Sequence, residues 1–155
     1  MWIYMLGVIL LVALDQISKW LTVTHIPLHE SITVIPKFLS LTYYQNTGAA
    51  WNILEGQMIF FYLVTIVVVC VLLYLLRKEY QKNKLVSWLL VLMIAGALGN
   101  FIDRLLYQYV VDMIQLDFIQ FPIFNLADSY LSVGAVSILL YSLYHDFISE
   151  GDNND

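Results

Sequence analysis

The chain contains few of the residues that build metal, redox or nucleic-acid sites. It has one cysteine, Cys70, and three scattered histidines. A lone cysteine cannot form an intrachain disulfide, and the histidines do not follow the His-Glu-x-x-His pattern of zinc peptidases. The net charge of −5 provides no basic surface for nucleic acid. We therefore expect no metal site, no cofactor and no nucleic-acid partner.

Charge of either sign is also scarce. Only 12% of the residues are charged, whereas 61% are hydrophobic. Roughly 20 consecutive apolar residues cross a bilayer as a helix. Four segments approach that length, and the first and the last do so only by including polar residues. They cover about 1–20, 58–76, 85–102 and 129–144. We predict an all-α membrane protein with four transmembrane helices in a single membrane domain, residues 1–155.

The distribution of basic residues predicts the orientation of these helices. The short loop between the second and third segments carries four basic residues, Arg77, Lys78, Lys82 and Lys84. The positive-inside rule places such a loop in the cytoplasm. The first segment lacks the basic start of a signal peptide, so we interpret it as a retained helix. Both termini are then cytoplasmic, and the longer loops, about 22–57 and 103–128, face outward. We expect the acidic tail, about 149–155, to be disordered.

The two outer loops are apolar rather than hydrophilic. Leu39–Gln45 and Tyr109–Phe118 mix β-branched and aromatic residues, which favours short strands. Tryptophan and tyrosine rings are well suited to the membrane–water interface. We predict a small β-rich outer cradle that rests on the membrane surface. Ordinary loops with interfacial aromatic residues are the alternative.

Five aspartates lie inside or beside the hydrophobic stretches: Asp15, Asp103, Asp112, Asp117 and Asp128. A charged side chain at membrane depth costs about 2.5–3.5 kcal/mol, so such residues indicate function. Asp112 lies in a run of β-branched and apolar residues that would desolvate it. Asp128 falls in the first turn of the fourth helix, which Asn125 can cap.

Two carboxylates that lie close together cannot both ionise easily, so they share one proton near neutral pH. The ionised carboxylate can take a proton from water, and the protonated one can assist the scissile carbonyl or the leaving amine. Asp112 and Asp128 are therefore predicted to form an aspartic-peptidase pair. Carboxylates within membranes also serve proton relays, so a small proton-coupled transporter is the alternative.

Two further groups of residues accompany the aspartates. Asp15 and Lys19 are four residues apart and share one helix face. They either position a buried site or form an interfacial ion pair in which Lys19 extends toward lipid headgroups. The stretch from Asn46 to Trp51 is typical of a tight turn, and Gly48, Ala49 and Ala50 would let another chain approach closely. It could also receive an extended peptide, with Asn46 bonding to the peptide backbone.

The third hydrophobic segment ends in small and polar residues. Gly96 and Gly99 permit close helix packing in lipid. Packing alone does not explain the polar residues that follow, because Asn100, Asp103 and Arg104 each oppose membrane insertion. We expect Asp103 and Arg104 to form a charge pair.

Five motifs, taken in order, resemble the bacterial lipoprotein signal peptidases, the signal peptidase II family. They are Asp15-Gln16 with Lys19, the stretch from Asn46 to Ala50, the stretch from Gly96 to Arg104, Val111-Asp112, and the stretch from Phe124 to Asp128. The resemblance covers nearly the whole chain. Its main departure is Trp51, where phenylalanine is usual.

The resemblance implies a four-helix membrane core, a β-rich outer cradle and a membrane-surface helix. It also implies a monomeric aspartic endopeptidase of the bacterial cytoplasmic membrane, in contact with membrane lipids. The substrates would be diacylglyceryl-modified prolipoproteins, cut at the outer face just before the lipidated cysteine. Asp112 and Asp128 match the catalytic pair, while eight residues match substrate-binding or supporting positions: Asp15, Lys19, Asn46, Gly48, Asn100, Asp103, Arg104 and Asn125.

Overall fold

Four long helices and three short strands make up the part of the chain that the structure describes, residues 1–48 and 54–152 of a computed structural model. In chain order they are α1 (Trp2–His25), β1 (Ser31–Ile35), β2 (Leu39–Asn46), α2 (Met58–Glu79), α3 (Lys84–Tyr107), β3 (Val110–Leu116) and α4 (Leu126–Asp152). Each helix is long and apolar enough to cross a membrane. The predicted architecture, four transmembrane helices with a small β-rich part, is confirmed.

The helices extend beyond the hydrophobic segments that predicted them. α1 continues past residue 20 to His25, and α3 continues past residue 102 to Tyr107. The last turns of these helices are less hydrophobic than their centres, but the polar side chains there form hydrogen bonds. The hydroxyls of Thr22 and Thr24, for example, donate to backbone carbonyls one turn earlier at 3.0 and 2.9 Å. The outer loops are correspondingly shorter than predicted.

α4 also runs further than its sequence indicated, from Leu126 to Asp152. The first part of the tail predicted to be disordered, about 149–155, is therefore helical, and residues 153–155 lie outside the described part. Extending an existing helix by one residue is much easier than starting a new one, which explains why an acidic segment continues α4.

α3 is the central helix of the bundle. It packs against α1, α2 and α4, whereas α2 and α4 pack on α3 rather than on each other. Gly96 and Gly99 permit this packing, as the sequence predicted. A Cβ added at Gly96 would collide with the carbonyl oxygen of Ala127 and with Leu131. α4 therefore lies so close to α3 that only glycine fits at this crossing.

The strands form one antiparallel sheet in the order β1-β2-β3. β2 and β3 correspond to the two predicted strands, while β1 was not predicted. The register places Tyr44 of β2 opposite Asp112 of β3, after an irregularity between Leu41 and Tyr44. The far edge of β3 is partly covered, because Ile114 bridges to Phe124 just before α4. The sheet thus holds Asp112 beside the start of α4.

The membrane-surface helix that the resemblance implied is not among the described elements. The segment between β2 and α2 includes a turn at 54–56, and residues 49–53 lie outside the described part of the chain. The predictions for Ala49, Ala50 and Trp51 therefore fall outside it.

Candidate active site

Asn125 and Asp128 form a reciprocal cap at the start of α4. The Asn125 side-chain oxygen accepts the backbone N–H of Asp128 at 2.9 Å, and the Asp128 carboxylate accepts the backbone N–H of Asn125 at 3.2 Å. This is a capping box with an aspartate in the place of the usual glutamate. The cap predicted at Asn125 is present, and it fixes the Asp128 carboxylate in the first turn of α4.

Asn125 also joins Asp128 to Asp112. Its side-chain Nδ2 donates to Oδ1 of Asp112 at 2.7 Å. Asp112 is only 2% exposed, and both aspartates line the same cavity of about 760 Å³. The two carboxylates, which are distant in sequence, are therefore brought together at one site.

Three asparagine amides hold the pair, and each is oriented by a group on its other side. The oxygen of Asn46 accepts the N–H of Gly48 at 2.9 Å, so its Nδ2 faces Asp112 at 2.9 Å. The oxygen of Asn100 accepts from the Lys19 ammonium at 3.0 Å, so its Nδ2 faces Asp128 at 2.7 Å.

Asn125 is oriented in the same way by the N–H of Asp128. Because a backbone N–H or an ammonium can only donate, none of these amides can turn its oxygen toward the carboxylates without losing a hydrogen bond. All three amides therefore present donors to Asp112 and Asp128.

Lys19 lies at the centre of a buried ionic cluster. Its Nζ is 2.9 Å from Asp15 and 3.0 Å from Asp103, and it is only 3% exposed. The alternative of an interfacial ion pair with Lys19 extending to headgroups is therefore wrong. Two carboxylates and one amide oxygen attract the ammonium inward, and their interactions offset part of the cost of its desolvation.

Asp15 continues this cluster to α4. Its Oδ1 accepts the backbone N–H of Ala127 at 3.0 Å, one of the donors that a helix start leaves unpaired. A Cβ added at Gly99 would lie 2.5 Å from the other oxygen of Asp15. Gly99 therefore leaves room for a carboxylate as well as for a neighbouring helix.

Asp103 does not form the charge pair with Arg104 that we expected. It pairs with Lys19, and its Oδ2 also accepts the backbone N–H of Val111 at 3.0 Å. Neighbouring residues on a helix point about 100° apart, so one turns toward α1 while the other turns toward the cavity.

Arg104 connects the site to the turn after β2. Its guanidinium donates to the carbonyl of Gly48 at 3.1 Å and lies 4.6 Å from the centre of the Phe61 ring. Its buried Nε has no hydrogen-bond partner among the described residues. Arg104 lines the same cavity as the two aspartates, so its positive charge faces the space where a ligand would lie.

Burial raises the pKa of the Asp112 carboxyl to about 7, and the negative charge of Asp128 is the second cause of the rise. Hydrogen bonds from Asn46 and Asn125 lower the same pKa but do not cancel these effects. A carboxyl group with such a pKa can carry a proton at neutral pH and release it during a reaction.

All ten predicted site residues belong to one connected network of hydrogen bonds and ion pairs. Gln16 was missed as a member of it: its side-chain nitrogen donates to Asp103 at 2.9 Å and lies 3.2 Å from the carbonyl of Gly99. The available signal was a polar residue beside Asp15 in an otherwise apolar helix. Over residues 1–48 and 54–152, no group of three or more histidine, cysteine, aspartate or glutamate side chains is placed to hold a metal ion.

The family described as signal peptidase (SPase) II matches this chain over residues 7–144. The chain belongs to the signal peptidase II family. It is 52% identical over 152 residues to the lipoprotein signal peptidase of Enterococcus faecalis, covering 98% of this chain and 94% of that protein. The lipoprotein signal peptidase of Lactiplantibacillus plantarum is 51% identical over 150 residues, covering 94% and 97%.

Two solved structures, both described as a bacterial membrane enzyme, share the fold of this signal peptidase II family member. One has a TM-score of 0.88 and 40% identity, covering 93% of this chain and 89% of the other. The second has a TM-score of 0.85 and 41% identity, covering 92% and 94%. The resemblance inferred from the five motifs is thus confirmed, and this multi-pass membrane protein is a member of a peptidase family.

Proposed function

We propose that this chain is an aspartic endopeptidase that uses Asp112 and Asp128 to remove signal peptides from lipid-modified prolipoproteins. The observation that carries the proposal is the joining of these two carboxylates by Asn125 at the wall of one cavity. The relatives named lipoprotein signal peptidase supply the substrate class. The cut would fall just before a cysteine that carries diacylglycerol.

The chemistry requires one proton on the pair. Asp112, whose pKa burial raises to about 7, is assigned that proton in the proposed resting state. Asp128 lies at the positive end of the α4 dipole, which favours its ionised form. Asp128 is also the less buried of the two, so water in the cavity can contact it.

Hydrolysis then proceeds without a covalent intermediate. Asp128 takes a proton from water while the water oxygen bonds to the scissile carbonyl carbon, and Asp112 gives its proton to the carbonyl oxygen. The tetrahedral diol collapses as the carbon–nitrogen bond breaks. The leaving amine takes the proton that Asp128 had received, and a diol proton returns to Asp112. One water is consumed, and the pair again carries a single proton.

Six of the eight remaining site residues are proposed to support this pair. The amides of Asn46, Asn100 and Asn125 hold the carboxylates in place with N–H donors. The buried cluster of Asp15, Lys19 and Asp103 acts through Asn100, because Lys19 fixes the orientation of that amide.

Arg104 and Gly48 are proposed to contact the substrate. The unpartnered Nε of Arg104 offers a donor to a peptide carbonyl, and its bond to Gly48 joins the turn after β2 to the cavity. Gly48, which has no side chain, leaves room for an extended peptide. Holding the peptide beside the carboxylates would lower the entropy cost of reaction.

The shape of the cavity supports an apolar, membrane-embedded substrate. Part of its apolar lining comes from α2 and α4, which pack mainly on α3, and includes Val64, Val68, Leu131 and Val133. A substrate whose lipid tails stay in the bilayer could therefore enter sideways between these helices. The transporter alternative is given up, because the family to which the chain belongs is a peptidase family.

We infer that the enzyme lies in the bacterial cytoplasmic membrane with both termini in the cytoplasm. The basic loop between α2 and α3 would be cytoplasmic by the positive-inside rule. The carboxylates lie where α3 ends and α4 begins, which is the opposite end of the bundle, so the site would face outward. One chain supplies every residue of the network, which supports a monomer.

The proposal is tested by cleavage of a diacylglyceryl-modified precursor peptide in detergent micelles. Asp112→Asn and Asp128→Asn should each lower kcat by at least about a hundredfold, the typical contribution of general acid–base catalysis. Asp117→Asn is the matched control, since Asp117 lies just beyond the same sheet but bonds to Ser40. Wild-type cleavage by either of the first two variants would disprove the assignment of the pair.

A further inference from the structure

A second cavity, of about 690 Å³, lies at the end of the bundle opposite the aspartate pair. It opens between α2 and α4, with α3 as its floor. Its apolar lining includes Leu72 and Leu75 of α2, Leu90 and Met93 of α3, and Ile138 and Leu139 of α4. A long, flexible apolar group would fill such a space better than water would.

The outer end of this cavity is polar. Asn83 caps the start of α3 and donates through its Nδ2 to the Tyr141 hydroxyl at 2.5 Å. The Tyr141 ring lies 4.7 Å from that of His145, and Ser142 and Glu79 complete this rim. The cavity thus combines an apolar interior with a hydrogen-bonding rim, as a lipid with one polar end requires.

The loop that forms this rim is positively charged. Between residues 77 and 84 it carries four basic residues and one acidic residue, Glu79. Arg77, Lys78, Lys82 and Lys84 are all exposed. The start of α3 adds the positive end of a helix dipole at the same place. The loop side of the rim therefore attracts an anion, whereas the end of α4 that follows His145 is acidic.

We propose that this second cavity binds an anionic phospholipid of the inner leaflet, with one acyl chain between α2 and α4 and its phosphate at the basic loop. Basic pockets between transmembrane helices on the cytoplasmic side recognise such headgroups. The charge also argues against the other apolar occupant, a signal-peptide segment. Such a segment begins with basic residues, which the four cations of the loop would repel.

The test is native mass spectrometry of the purified protein after reconstitution in equal amounts of phosphatidylglycerol and phosphatidylcholine. Wild type should retain one phosphatidylglycerol in preference to phosphatidylcholine. Ala135→Phe, which fills the cavity, should lose this lipid. Val136→Phe is the matched control, because Val136 is 55% exposed and lies outside the cavity lining, and it should retain the lipid.

The headgroup is tested separately with surface variants that do not put folding at risk. Lys82→Gln and Lys84→Gln should each lower the preference for phosphatidylglycerol about fivefold, as expected for one basic residue near an anionic headgroup. Lys37→Gln, on the exposed β1–β2 turn, should leave it unchanged.

Three results would overturn the proposal. They are equal retention of the two lipids by wild type, an unchanged preference in both loop-lysine variants, and full lipid retention by a folded Ala135→Phe protein. Cleavage of the precursor peptide is measured in parallel. If Ala135→Phe slows cleavage but keeps its lipid, the cavity belongs to the substrate instead.

Discussion

Replacing Lys19 by methionine tests the buried cluster behind the active site. Methionine is similar in length but removes the ammonium that lies 2.9 Å from Asp15 and 3.0 Å from Asp103. These carboxylates are 0% and 1% exposed, so neither can turn to water. Breaking a buried ion pair by removing one partner costs about 3–5 kcal/mol. Since total stabilities are about 5–15 kcal/mol, we expect a loss of about a fifth or more of the free energy of unfolding.

The same substitution should also reduce activity. Without the ammonium, the oxygen of Asn100 loses a fixed donor, and its amide can rotate away from Asp128. A hydrogen bond to a charged group is worth about 1.5–3 kcal/mol. We therefore expect kcat to fall by about ten- to a hundredfold in protein that is still folded.

The free energy of unfolding is measured by denaturant titration in detergent micelles. Lys37→Met is the control, because Lys37 is exposed on the β1–β2 turn and should change stability by no more than about 0.5 kcal/mol. Adding Asp103→Asn to Lys19→Met should recover part of the loss by removing one unpaired charge. If Lys19→Met stays within about 1 kcal/mol of wild type, the reasoning about this cluster is refuted.

Three further predictions follow from the geometry. Cleavage should fall about tenfold per pH unit above about pH 7, because loss of the Asp112 proton removes the acid of the pair, and a flat rate–pH profile would contradict this. Asn46→Ala should move this decline to higher pH, because the Asn46 hydrogen bond lowers the pKa of Asp112. A decline at the same or lower pH would count against that role. Gly99→Ala should lower the free energy of unfolding by about 1–3 kcal/mol, since the added Cβ would lie 2.5 Å from the Asp15 carboxylate. If the Gly99→Ala protein unfolds at the same temperature as wild type, such a clash is excluded.

The four helices could be predicted because each carries a long hydrophobic segment. Their ends could not, because the last turns contain polar residues whose partners lie in other elements. Asp103, for instance, stays helical beside Lys19 of α1 and Val111 of β3. No local sequence pattern in the third hydrophobic segment predicts either contact.

β1 was missed for a different reason. All five of its residues are exposed. The strand therefore lacks the buried face that an alternation of apolar and polar residues is used to predict. Its β-branched residues, Ile32 through Ile35, were the available signal. β2 and β3 have buried positions, and both were predicted.

The site residues could be listed from sequence, but their pairing could not. Asp103 precedes Arg104 directly, yet its partner is Lys19, because the crossing of α1 and α3 decides which charges meet. The same crossing turns Lys19 inward rather than toward lipid. Sequence motifs thus identified the members of the network, while helix packing determined its connections.

The single proton proposed for the aspartate pair can be tested directly by infrared spectroscopy of the protein in micelles. Wild type should show a protonated carboxyl band that disappears with a midpoint at about pH 7. The band should be absent from Asp112→Asn and retained in Asp117→Asn. The proposed mechanism would be contradicted if wild type shows no carboxyl band that titrates near neutral pH. It would also be contradicted if the band is unchanged in Asp112→Asn.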